Sequence, residues 1–222
     1  MDQVLAALQT RGDTLHDLSA DVALTVTDQT TATSDSESGT ILLQQSGGGD
    51  GRVRIHFMQR TEGNKIFDED HEFTLADGWL VDRDFKKKHE DRKQVVRPGD
   101  KVNLFQLGDG PFPLPIGQKP QVVRNGFDVS LVAAQKDDPP DSVHLLLKPK
   151  PQTDLASKFA QIDVWTDRQM GMPVRIVTVD SDGQRSRTAD LTNIKLDAHL
   201  TDADFSLPNE PGWDQVVEPF RP

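Results

Sequence analysis

Arg52-Val53-Arg54-Ile55-His56-Phe57-Met58 carries the cleanest alternation in the chain. Val53, Ile55 and Phe57 fall on one side of an extended strand, and Arg52, Arg54, His56 and Met58 on the other. Such a strand belongs to an antiparallel sheet with one apolar and one polar face. Upstream, Gly39–Gln45 reads as its hairpin partner across the tip Ser46-Gly47-Gly48-Gly49-Asp50-Gly51. Ala20, Val22, Leu24 and Val26 alternate with Asp21, Ala23, Thr25 and Thr27, a further half-buried strand, while the Thr/Ser/Asp-rich run Asp28–Ser38 reads as a loop. Asp2–Leu18 reads as a helix with Asp2 as N-cap, because Val4, Leu5, Leu8, Leu15 and Leu18 lie near helical spacing. Gly12 and Thr14 weaken its middle and leave room for a shorter helix followed by a turn.

Downstream, Glu62-Gly63-Asn64 and Ala76-Asp77-Gly78 read as hairpin turns, the second flanked by Phe73-Thr74-Leu75 and Trp79-Leu80-Val81. Lys86–Arg97 reads as a charged strand pair or edge. Strands return at Val143–Leu147, Phe159–Trp165, Pro173–Val179 and Arg185–Ile194, with short helical pieces around Leu104 and Leu155. The tail from Leu207 holds four prolines and reads as extended along the surface. Between Gly99 and Gly117 the chain is apolar yet broken by proline, so it forms no strand ladder and must pack onto something. No repeat and no composition break divides residues 1–222, which reads as a single domain.

The 222 residues include no cysteine, which excludes disulfides, thiolate metal sites and a lipidated N-terminal cysteine. With 25 basic against 36 acidic residues the net charge is −11, a poor match for nucleic-acid backbones. No run approaches the roughly 18 apolar residues of a membrane-spanning helix. The start, Met1-Asp2-Gln3-Val4, has neither a basic nor an apolar signal region, so the chain is either cytoplasmic or stripped of a leader.

Catalytic motifs are missing: there is no G-x-S-x-G elbow, phosphate-binding loop or His-Glu-x-x-His. Asp68-Glu69-Asp70-His71-Glu72 alternates across a strand, so neighbouring ligands point apart and the run reads as a solvated acidic stretch. Lys86–Lys93 reads as charge that blunts an edge strand, with a docking patch for an acidic partner or lipid headgroup as the alternative, and the pairs Asp137/Asp138 and Asp202/Asp204 as loop acids. Trp79 and Trp165 read as core, with a pocket wall as the alternative. An enzyme needs a constellation that this sequence does not display; a binding protein needs only a cavity.

Val4-Leu5-Ala6-Ala7-Leu8, Ser38-Gly39-Thr40-Ile41-Leu42-Leu43, Leu75-Ala76-Asp77-Gly78-Trp79-Leu80-Val81-Asp82, Leu145-Leu146-Leu147-Lys148-Pro149-Lys150, Gly171-Met172-Pro173-Val174-Arg175-Ile176, Asp190-Leu191-Thr192-Asn193-Ile194 and Asp202–Leu207 follow one another in an order and spacing that resembles the LolA-like lipoprotein carriers, over almost the whole chain. The resemblance implies a mainly β (α+β) fold, an unclosed antiparallel β-barrel, or half-barrel, with an N-terminal helix and a lid of short helices or loop over its concave apolar face. It further implies a non-enzymatic periplasmic carrier, its signal segment removed. Acyl chains of lipoproteins or another lipid are its cargo, with membrane-bound donor and acceptor proteins as partners, no cofactor, and a monomeric state. The alternative on the same fold is a non-carrying lipid-binding or sensing module. Strand alternation places Leu24, Val26, Ile41, Leu43, Ile55, Phe57, Trp79, Val81, Leu145, Leu147, Ile162, Val164 and Ile176 on the cavity wall. Val102, Leu104, Phe105, Leu107, Phe112, Leu114 and Ile116 supply the lid. The arginine that the proteobacterial carriers place after the strand matching Gly39–Leu43 is replaced here by Gln44-Gln45-Ser46.

Overall fold

Alternating apolar and polar residues build most of the chain into strands. The computed structural model describes residues 1–46, 50–97 and 116–220. In chain order the elements are α1 (Asp2–Thr14), β1 (Asp17–Asp28), β2 (Thr33–Ser46), β3 (Asp50–Glu62), β4 (Lys65–Ala76), β5 (Trp79–Asp84), β6 (His89–Gln94), α2 (Pro120–Gly126), β7 (Phe127–Val132), β8 (Ser142–Pro149), α3 (Leu155–Lys158), β9 (Phe159–Asp167), β10 (Pro173–Asp180), β11 (Arg185–Leu196), a 3-10 turn (Asp202–Phe205) and β12 (Asp214–Glu218). The strands form one open sheet in the order β12-β6-β5-β4-β3-β2-β1-β11-β10-β9-β8-β7. Antiparallel pairing links β3 through β6 and β7 through β11, whereas β12 joins β6 in parallel.

Several sequence expectations need correction. The first helix stops at Thr14, where the Thr14 hydroxyl bonds back to Thr10 O, and Leu18 belongs to β1 rather than to a helix. Thr33–Ser38 is strand, not loop; only the turn whose Thr30 and Thr31 amides donate to the Asp28 carboxylate separates β1 from β2. The charged His89–Gln94 strand is not an edge, because residues 214–218 of the tail pair with it and take the edge position. Strand β7 and helix α2 carried no sequence expectation, while the helical piece at Leu155 is a single turn. Leu104 and its expected helix lie outside the described residues.

The chain divides into two compact units. The first comprises Met1–Thr14, Ala23–Ser36 and Phe105–Thr192; the second comprises Leu15–Val22, Glu37–Leu104 and Asn193–Pro222. In the first, α1 buries Leu5 and Leu8, and α2 buries Val123. Helix α1 is pinned to the following chain: Gly117 N donates to Leu8 O at 3.1 Å, and a Cβ on Gly12 would come within 2.1 Å of Gly117 Cα. On its other side Arg11 Nε donates to Met170 O at 2.7 Å. In the second, Leu15, Leu18, Ala20 and Val22 join buried residues of β2 to β5. Glycine is required at Gly39, where a Cβ would lie 1.8 Å from His56 O.

A candidate apolar binding face

Residues facing one another across an antiparallel ladder share a side of the sheet. In the first unit Leu145 faces Val164 and Leu147 faces Ile162, while Val164 in turn faces Ile176, which faces Ala189. Register therefore brings Leu145, Leu147, Ile162, Val164 and Ile176, five of the residues selected by alternation, onto one face. They are no more than 4% exposed. The described parts of this unit that bring buried apolar side chains from outside the sheet are α1, Ile116, α2 and Met172 in the turn before β10. Leu24 and Val26, on β1 in this unit, are half-buried. Ile116 of the expected lid is fully buried; Val102, Leu104, Phe105, Leu107, Phe112 and Leu114 lie outside the described residues.

Strands β8 and β9 show their other side in His144 and Trp165, which pair across them with rings stacked at 3.9 Å. His144 Nε2 contacts Asp163 at 2.7 Å, and the Trp165 indole donates to Asp138 at 2.7 Å. The Gln135 amide, with that indole, holds the Asp138 carboxyl below its usual range. Trp165 thus belongs to a polar cluster on the side opposite the apolar row, not to the core.

In the second unit Ile55 faces Phe73, which faces Asp82, so Val53, Ile55, Phe57, Phe73, Leu75 and Leu80 share a side. Ile41 and Leu43 lie there too. The side chain of Gln44, next after Leu43 and so on the other side, bonds Arg52 there and also donates to Leu200 O at 2.8 Å. Trp79 and Val81 do not: Val81 faces Thr74 and Trp79 faces Ala76, which places both opposite Ile55 and Phe57. Their assignment to the same wall is corrected. Both sides of these strands are covered, so alternation there marks no single interior.

What covers the opposite side is the segment after β11, and this was missed in the sequence. Arg54 binds the buried carboxylate of Glu72, with Nε at 2.7 Å, and donates through Nη1 to Asp204 O at 2.9 Å. Arg83 and Glu90 form an ion pair at 2.6 Å with both side chains 2% exposed, and Arg83 also donates to Pro208 O. Arg52 reaches Asp202 at 2.7 Å and lies over the Phe205 ring, and Trp213 packs edge-on against Phe85. Thr201 and Asp204 close a reciprocal capping box on the 3-10 turn. Asp202 and Asp204, read as loop acids, therefore anchor this strap, and Glu72 of the acidic run is a buried ion-pair member. A clue was present in strand residues Arg54, Arg83, Glu72 and Glu90, but their pairing joins strands distant in sequence.

One titratable group sits at the end of the Ile55 side. His71 is held above its ordinary value by its hydrogen bond to Asp82 at 2.5 Å, with burial opposing and Asp82, Glu37 and Asp84 adding favourable charge. Burial pushes Glu37 up, countered by His71 and Arg60 and reinforced by Glu69 and Asp82. Among the described residues no group of three His, Asp or Glu is arranged to hold a metal ion, and no helix is long and apolar enough to cross a membrane.

No protein-family model and no curated protein sequence matches the chain. Solved structures do. An uncharacterized conserved protein from Thermus thermophilus matches with a TM-score of 0.54 at 11% identity, over 97% of this chain and 98% of that one. MucB matches with a TM-score of 0.52 at 15% identity over 97% of this chain, which spans only 64% of MucB. The matches extend to a LolA superfamily protein from Nitrosomonas europaea, at a TM-score of 0.40 and 13% identity, over 91% of this chain and 97% of that one. The fold shared with the Thermus protein and MucB is mainly β: an unclosed, largely antiparallel sheet with few helices.

Proposed function

We propose that this chain is a lipid-binding protein of the periplasm that takes up the acyl chains of lipoproteins, or of another lipid, and carries them towards the outer membrane. Residues 1–222 act as one binding domain, without cofactor and without catalysis, between a membrane-bound donor and acceptor. The observation that supports this reading is the apolar row of Leu145, Leu147, Ile162, Val164 and Ile176, continuous across three strands of an open sheet.

Transfer of a sixteen-carbon chain from water gains on the order of 12 kcal/mol, at about 0.8 kcal/mol per methylene. A carrier has to give that cargo up again. The row is buried by apolar groups of the chain itself, so uptake exchanges one set of apolar contacts for another and the net affinity is far smaller than the gross gain. The test is movement of a fluorescent diacylated lipopeptide from donor to acceptor liposomes. Saturable, protein-dependent transfer supports carriage; binding without transfer leaves the non-carrying module; no binding overturns both.

A further inference from the structure

We infer that the Thr166 hydroxyl is the polar contact of the bound lipid, donating a hydrogen bond to the ester carbonyl at the head of an acyl chain that lies along the apolar row. This rests on the acyl-binding reading above and names the ligand chemistry at its site.

Thr166 is 2% exposed, and its Oγ1 is buried without a hydrogen-bond partner. Five side-chain atoms among the described residues share that condition; Arg60, Arg92 and His144 each engage a carboxylate through another nitrogen, which leaves Gln45 Oε1, in the second unit, and the Thr166 hydroxyl. The hydroxyl is all the polarity that Thr166 has. A buried hydroxyl left unpaired forfeits its hydrogen bond to water with nothing in return, whereas valine would fill almost the same space at no such cost.

The position is informative. Thr166 lies two residues from Val164 and four from Ile162 on β9, so its side chain points to the same side of the sheet. Across the ladders it faces Val143 and Pro173. It stands one residue before the strand ends at Asp167, and Val143 is only half-buried. The hydroxyl therefore sits at the end of the row, with about 13 Å of apolar strand running from it to Ile162. A carbonyl docked at Thr166 sends its hydrocarbon along Val164 and Ile162 and leaves the remainder of the lipid towards the strand end. Hydrocarbon alone would leave the hydroxyl unpaired; an ester supplies the missing acceptor.

The experiment compares a fluorescent diacylglycerol with its dialkyl ether analogue, which keeps the chains and lacks the carbonyls, on the full chain and on Thr166→Val and Thr166→Ser. The expected result is an ester preference of about 2- to 12-fold, the worth of one hydrogen bond. Thr166→Val loses that preference and binds the ether unchanged, while Thr166→Ser retains it; unliganded Thr166→Val is at least as resistant to urea as the parent. Equal binding of ester and ether by the parent overturns the inference while the acyl-binding reading stands, and needs no variant to fold. An undiminished preference in Thr166→Val also overturns it. Binding of neither probe removes the acyl-binding reading and this inference with it.

Discussion

The apolar row of the first unit and the strap-covered side of β3 to β6 in the second are both buried, but they differ in what holds them. On the strap-covered side each buried charge has a named partner: Glu72 has Arg54, Glu90 has Arg83, and the two arginines also bond Asp204 O and Pro208 O. Such contacts are directional, and separating them strands charges away from water. The apolar row is held by nondirectional contacts between hydrocarbon side chains, and the Thr166 hydroxyl at its end has no hydrogen-bond partner. The strap is held by directional ion pairs and hydrogen bonds, and the row by hydrocarbon contacts, which the proposed uptake of acyl chains would exchange.

The largest effect on this contrast comes from Arg83→Ala. Removing the guanidinium leaves Glu90 buried and unpaired, so the variant should lose about 3–5 kcal/mol in urea unfolding. The double substitution of Arg83 by Met and Glu90 by Leu should recover most of that loss. Leu145→Ala, in the apolar row, should cost about 2–4 kcal/mol through the cavity it opens. Unlike Arg83→Ala, it should also weaken binding of an acyl probe by more than the change in stability explains; equal effects on probe binding from the two variants would erase the contrast. Asp204→Ala removes the capping carboxylate of the 3-10 turn and should lower the urea midpoint only slightly. Hydrogen exchange should quicken over residues 200–213 and stay unchanged in β8 to β10.

The smallest effect is a pH dependence confined to the second unit. The folded protein holds the His71 proton above the ordinary value of 6.5, so this contribution is complete at lower pH and is lost as pH rises through the raised value. Glu37, raised above 4.5, acts with the same sign in a lower window, because the folded chain keeps a proton that the unfolded chain has released. His71→Gln should flatten the upper part of the melting-temperature profile and leave the lower part unchanged.

The sequence was legible wherever one side of a strand was apolar and the other polar. Val53/Ile55/Phe57 and Leu145/Leu147 with Ile162/Val164 are of this kind, and register places each set on one face. Alternation failed at Trp79 and Val81, because a strap contributed from more than a hundred residues away covers the second side and gives apolar residues a place there. Thr33–Ser38 looked like loop because its side chains are polar on both sides; its strand is fixed by backbone pairing. Strand β12 was hidden for a related reason, since Asp214–Glu218 acquires its partner, His89–Lys93, only through long-range parallel pairing. The orphaned Thr166 hydroxyl cannot be found in a sequence at all, because the absence of a partner is a property of packing.

The central claim is that the apolar row shelters acyl chains. Mass spectrometry of an organic extract of the freshly purified full chain tests it most directly. The account predicts acylated lipid in near-stoichiometric amount, displaced when an excess of diacylated lipopeptide is added. A chain that carries no lipid, and that takes up none from added vesicles, would contradict it.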